Sequence, residues 1–125
     1  MPTQSQHRTK ARGNRDFLRE IDTAARADWA VVVAFYTAVH LVEGVRAMAG
    51  EHSLSHRERV DYVGSHHRPI ASAFYELYFA SRVARYDPNS AFYQQFANAD
   101  IQTVVIDGWL ALVEAYVDGL ATPTP

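Results

Sequence analysis

One stretch limits what this chain can fold into more than any other. Trp29 to Val39, read as WAVVVAFYTAV, is apolar almost all the way round a helix. A helix that is apolar on one stripe lies on a surface, whereas one apolar on every side has to be covered on every side. In a chain of 125 residues this makes the segment the central helix of a helical bundle. The helix is predicted from Asp28 to Ala49, with Gly50 as its stop. His40 and Glu43 interrupt the apolar run before it reaches the roughly 18 residues of a membrane span, so no membrane association is expected.

The rest of the chain offers almost no strand signal, neither sustained alternation nor a hairpin dipeptide such as Asn-Gly. A first helix is predicted from Asn14 to Ala25, with Asn14 as N-cap and Phe17, Ile21, Ala24 and Ala25 as its apolar stripe. Residues 1–13 carry Arg8, Lys10 and Arg12 without an acid and read as a disordered basic tail. Ser55 and Glu58 fit a capping box that opens a short helix ending near Gly64. Pro69 suits the first turn of a further helix running to Tyr86, with Ile70, Phe74, Leu77, Tyr78 and Ser81 on one face. Asp87-Pro88-Asn89 would end it, and residues 89–97 read as a linker anchored by Phe92, Tyr93 and Phe96. A last helix is predicted from Asn98 to Leu120, and residues 121–125 as a frayed tail. The expected fold is all-α, a four- to five-helix antiparallel bundle forming one domain over residues 14–120. Two helices apolar beyond one face lead to the expectation of a homodimer.

Composition removes whole classes of function. There is no cysteine, so disulfides, thiol nucleophiles, thiolate zinc sites and iron–sulfur clusters are excluded. The N-terminus lacks the apolar core of a secretory signal, and a cytoplasmic location is expected. No glycine-rich phosphate loop, G-x-S-x-G or H-E-x-x-H occurs, which leaves dehydrogenase, kinase and hydrolase readings without support. No cofactor is implied. The formal net charge is −2, so bulk charge does not mark a polyanion binder. Its distribution is uneven, because residues 86–125 hold acids but no Lys or Arg.

Several polar residues could carry chemistry. His40 lies in the central helix, three residues from both Thr37 and Glu43, so the three share one stripe. A His–Glu pair on one stripe can hold an imidazole for proton transfer or metal binding. The densest cluster is residues 52–68, with His52, His56, His66 and His67 among Arg57, Arg59 and Arg68. His52 and His56 are four apart, but the capping box places His52 outside the helix, which weakens a shared metal. Arg82 and Arg85 sit near a helix C-terminus, where they either complement its dipole or hold a phosphate or carboxylate.

Asp28-Trp29, then FYTAVHLVEG, HSLSHRER and IASAFYELYFASRVARYD, resemble in order and spacing the HEPN superfamily of small helical domains. The resemblance covers roughly residues 14–120. It implies a helical bundle that usually dimerises. It also implies an RNA-related role, either RNA binding or metal-independent endoribonuclease activity of the toxin–antitoxin or defence type. An antitoxin or defence component is then a possible protein partner. In the nuclease members an Arg steadies the scissile phosphate and a His, separated from it by a gap of four to six residues, moves protons. Arg59 and His66 have an allowed gap, but Val60 replaces the usual polar residue and Gly64 lies between them. The residues that match the narrower pattern are His40, His56, Arg59, Arg82 and Arg85, and with Arg57 they form the candidate ligand-binding set. Two alternatives stand beside this one. The first is a non-catalytic dimerisation or protein-interaction module. The second is a DinB-like metal-binding bundle using His40, His52 and His56.

Overall fold

The computed structural model describes residues 1–86 and 100–121. Its order is α1 (Gln4–Glu20), α2 (Ala27–Met48), α3 (His56–His66), a 3-10 turn (Arg68–Ile70), α4 (Ala71–Tyr86), a π-helical segment (Ile101–Leu110) and α5 (Ala111–Ala121). The protein is all-α, and no strand occurs among the described residues. The predicted stop at residues 87–89, the linker at 89–97 and the tail at 122–125 lie outside the described residues.

The N-terminus corrects the expectation of a disordered tail. Helix α1 starts ten residues before Asn14, because a capping box forms upstream. The Thr3 hydroxyl accepts from the Gln6 amide at 3.1 Å, while the Gln6 side chain accepts from the Thr3 amide at 2.9 Å. The run of positive charge hides a seam of His7, Ala11 and Leu18, which recur at helical spacing and are buried. Helix α1 also stops at Glu20 instead of continuing to Ala25. Ile21 turns extended, and the Asp22 carboxylate accepts from the amides of Ala24 and Ala25 at 2.9 and 3.3 Å. The chain then reverses, and α1 packs along α2 in the most extensive contact between any two helices.

Helix α2 takes the central position its composition demanded. Ala30, Val31, Ala34, Phe35, Ala38, Val39 and Val42 are buried, and α1, α4, the π-helical segment and α5 pack around them. Trp29, at the start of the same helix, stays 59% exposed. Over an 18-residue window the helix reaches a mean hydropathy of 1.4, so His40 and Glu43 do not take it below the length and composition of a membrane span. Half of that window is buried inside the bundle, as befits a core helix. Phe35 packs on Phe74 of α4 with ring centroids 5.9 Å apart, and Leu18, Ile70, Leu77, Ile101, Ile106 and Leu110 complete the core.

Helix α3 begins as predicted, with the Ser55 hydroxyl accepting from the Glu58 amide at 3.0 Å. The Glu58 carboxylate reaches back one residue further than a standard box and accepts from the Leu54 amide. Gly64 does not end α3, which runs on to His66. Pro69 stands in the 3-10 turn that opens α4, where its missing N–H costs nothing. Near the C-terminus the predicted uninterrupted helix is instead wound in wider turns from Ile101 to Leu110 before α5.

Leu18 anchors α1 against the core and is 2% exposed. Leu18→Ala should lower unfolding free energy by about 2–5 kcal/mol in a urea titration. A loss below about 0.5 kcal/mol, the usual range for surface substitutions, would mean that α1 is not docked.

Candidate functional site

A chain of polar side chains crosses from the interior to the surface between α2, α3 and α4. It starts at Glu43, a carboxylate buried on the central helix at 3% exposure. Burial alone would raise its pKa. Hydrogen bonds from Ser53 and Arg59 outweigh that and hold the carboxyl below its ordinary value. Arg59 Nε donates to Glu43 Oε1 at 2.6 Å, and the Ser53 amide donates to Oε2 at 3.1 Å. Arg59 Nη1 then reaches His56 Nδ1 at 2.7 Å, and His56 Nε2 lies 3.3 Å from Tyr36 Oη. Arg85 Nη1 donates to the same phenol oxygen at 3.2 Å. The His56 ring packs among Phe35, Tyr36 and Tyr78. Its pKa is lowered by burial and by the guanidiniums of Arg59 and Arg85.

Of the predicted ligand-binding set, the structure thus brings together His56, Arg59 and Arg85. Arg57 and Arg82 are exposed and stand outside the hydrogen-bonded chain. His40 is on a different seam, where its Nδ1 lies 3.1 Å from Nδ1 of His7. Glu43 shares a stripe with His40 as expected, yet it binds Arg59 and Ser53 instead. The two nuclease candidates are not assembled. Arg59 is buried on Glu43, while His66 is exposed, stacked on Tyr62 and about 10 Å further along α3 by helix rise. The metal alternative is not assembled either. His52 is exposed, His40 faces His7 and His56 faces Arg59 and Tyr36, and no cluster of three metal-ligating side chains occurs among the described residues.

Sequence reasoning missed Tyr36, His7 and the basic face of α1. Tyr36 hid inside the apolar run of α2, and His7 in a presumed tail. The basic face had a visible signal, because Arg8, Arg12, Arg15 and Arg19 repeat at steps of four, three and four. In the folded chain all four line one side of a cleft of about 230 Å³, floored by Ala11, Thr37 and Leu41. Glu114 and Asp118 of α5 face them, and Arg15 Nε donates to Glu114 Oε2 at 3.1 Å. Arg19 pairs with Asp16 on the exposed surface at 2.7 Å. Arg8 and Arg12 have no ion pair among the described residues, and both also border an adjoining hollow with Gln4, Ser5 and Thr9.

Two further histidines tie helices together. His67 bridges Tyr62 of α3 and Tyr116 of α5, at 3.2 and 2.9 Å. His7 is 8% exposed and leaves its Nε2 without a partner among the described residues. Comparison with known protein families, curated proteins and solved structures gives no match for this chain.

Glu43→Ala should cost about 3–5 kcal/mol in chemical denaturation, because it leaves the Arg59 cation buried and unpaired. Acid should destabilise the fold. Burial lowers the pKa of His7, His40, His56 and His67 from 6.5, so the unfolded chain takes up protons first as pH falls. Stability is fully present above pH 6.5 and declines as pH drops below it. Urea midpoints at pH 7.5 and pH 5.0 check this, and an unchanged midpoint would contradict the buried neutral imidazoles.

Proposed function

We propose that this chain is an RNA-binding helical module of HEPN-like kind that does not cut its ligand. The observation that carries the reading is the row Arg8, Arg12, Arg15 and Arg19 along the α1 cleft. It extends for roughly 16 Å of helix, a length suited to successive phosphates of one strand. Arg8 and Arg12 have no ion pair among the described residues, so phosphate oxygens would not have to displace a paired carboxylate from them there. Arginine forks suit phosphate geometry better than lysine does. Helix α1 alone holds five basic residues against Asp16 and Glu20, whereas the chain as a whole is net negative. The attraction is therefore local to this face. Cleavage is disfavoured because Arg59, the cation of the only nuclease-like spacing within one helix, is already neutralised by Glu43.

A second reading, a protein-interaction or dimerisation module, draws on one observation. Tyr75 and Phe79 stack on the outer face of α4 with ring centroids 6.4 Å apart, and both are about half exposed. Light scattering separates a 14.1 kDa monomer from a dimer on that face.

The RNA reading is tested by titrating a labelled single strand against the protein at several salt concentrations. Binding should weaken with salt. The Arg8→Gln/Arg12→Gln double variant should bind less tightly, with its log–log salt slope reduced by about 1.4. Wild-type affinity and slope in the double variant would remove α1 as the interface. RNA should survive incubation with the protein in excess chelator, and metal-independent cleavage would overturn the non-catalytic reading.

A further inference from the structure

The hydrogen-bonded chain that starts at Glu43 ends in a donor that nothing receives among the described residues. Arg59 can only donate, so His56 Nδ1, 2.7 Å from its Nη1, must accept. The single proton of the neutral ring therefore sits on Nε2. That N–H donates to Tyr36 Oη at 3.3 Å, and Arg85 Nη1–H donates to the same oxygen at 3.2 Å. The phenol oxygen therefore acts as acceptor in both contacts. The Tyr36 O–H has to point away from both donors, and no acceptor among the described residues receives it. Accepting from two donors, one of them a cation, polarises that O–H and makes it a better donor than an isolated tyrosine.

Arg85 is built for the same task. Its Nε donates to the Ser81 carbonyl at 3.2 Å, and Nη1 to Tyr36. Its guanidinium carbon lies 5.8 Å from the Tyr36 ring centroid and 5.1 Å from that of Tyr86. These contacts hold the plane of the guanidinium, and Nη2 has no hydrogen-bond partner among the described residues. No carboxylate is at ion-pair distance from Arg85 among the described residues. Arg82, one turn earlier on α4 and exposed, has no ion pair there either.

The geometry points to an oxyanion site at Tyr36 and Arg85, with a phosphate group as its ligand. The Tyr36 O–H and Arg85 Nη2 donate to its oxygens. Arg82 supplies a second cation from the neighbouring turn, which suits the higher charge of a phosphate over a carboxylate. His56 and Arg59 position the phenol and do not touch the ligand. This site is independent of the α1 row and does not need the RNA reading. The phosphate can come from solution or from the end of an oligonucleotide.

The test is calorimetric titration of the whole chain with inorganic phosphate. Saturable binding is expected. Tyr36→Phe, which keeps the ring and its packing, should weaken it about tenfold or more, the usual range for a hydrogen bond to a charged group. Arg85→Gln should abolish it. An oligonucleotide with a 5′-phosphate is then compared with its 5′-hydroxyl counterpart. A gain from the phosphate that Tyr36→Phe removes assigns the site to a strand end, and equal binding assigns it to free phosphate. Absence of saturable phosphate binding by the wild type would overturn the proposal. So would a Tyr36→Phe variant that keeps wild-type affinity and wild-type thermal stability.

Discussion

The pairing of Glu43 with Arg59 is the contact on which the polar half of this molecule depends. A carboxylate on the central helix of a bundle has no water to solvate it, and unpaired it would be strongly destabilising. Arg59 meets one oxygen and the Ser53 amide the other. One side chain of α2 thereby fixes both the loop after it and the first turns of α3. Such a pair gives position more than net stability, since desolvation cancels much of the attraction. What it positions is visible outward from it: Arg59 orients His56, His56 orients Tyr36, and Tyr36 meets Arg85.

The arginines divide by what lies near them. Arg59 and Arg46 are turned inward, the first onto Glu43 and the second among Ser53, Glu58 and Glu51, with its carbon also 4.3 Å from the Tyr62 ring centroid. These guanidiniums act as cross-links between α2, α3 and the loop joining them. Arg8, Arg12, Arg82 and Arg85 face solvent or a cleft with no carboxylate at ion-pair distance among the described residues. The same side chain is thus structural where a local acid meets it and available for ligands where none does. Two acids of the C-terminal part, Glu114 and Asp118, face the α1 row, and Glu114 pairs with Arg15.

Much of the fold could be read from apolar spacing. The burial of α2 followed from its all-round composition, the start of α3 from Ser55 and Glu58, and the start of α4 from Pro69. The beginning of α1 could not be read in that way. A single histidine and an alanine mark its buried stripe among charges, and Thr3 and Gln6 cap it where composition suggests a solvated end. For the candidate site, His56, Arg59 and Arg85 were legible as polar residues in a dense cluster. Their connector was not, because Tyr36 sits inside the most apolar stretch of the chain and only folding shows which way its hydroxyl faces. His40 and Glu43 shared a stripe as the spacing said, yet partners from α1 and α3 separated them. Spacing along one helix fixes which side chains are neighbours, whereas the helices packed against it decide which of them bond.

The π-helical segment from Ile101 to Leu110 bears on how the C-terminal helix can change. Its wider turns are uncommon and hold more residues than α-helical ones over the same rise. At Gly108 an added Cβ would lie 3.1 Å from the Thr103 carbonyl oxygen, so the coil is tight there against its own backbone. The segment works as a phase adjuster: the residues it holds set the angle at which α5 presents Val113 and Val117 to the core. Loss of one residue upstream would turn that stripe by about 100°. The apolar face would then look into solvent, and Glu114, which now reaches across to Arg15, would swing away from α1. The cleft between α1 and α5 is therefore tuned by the length of a coil that forms no part of its lining.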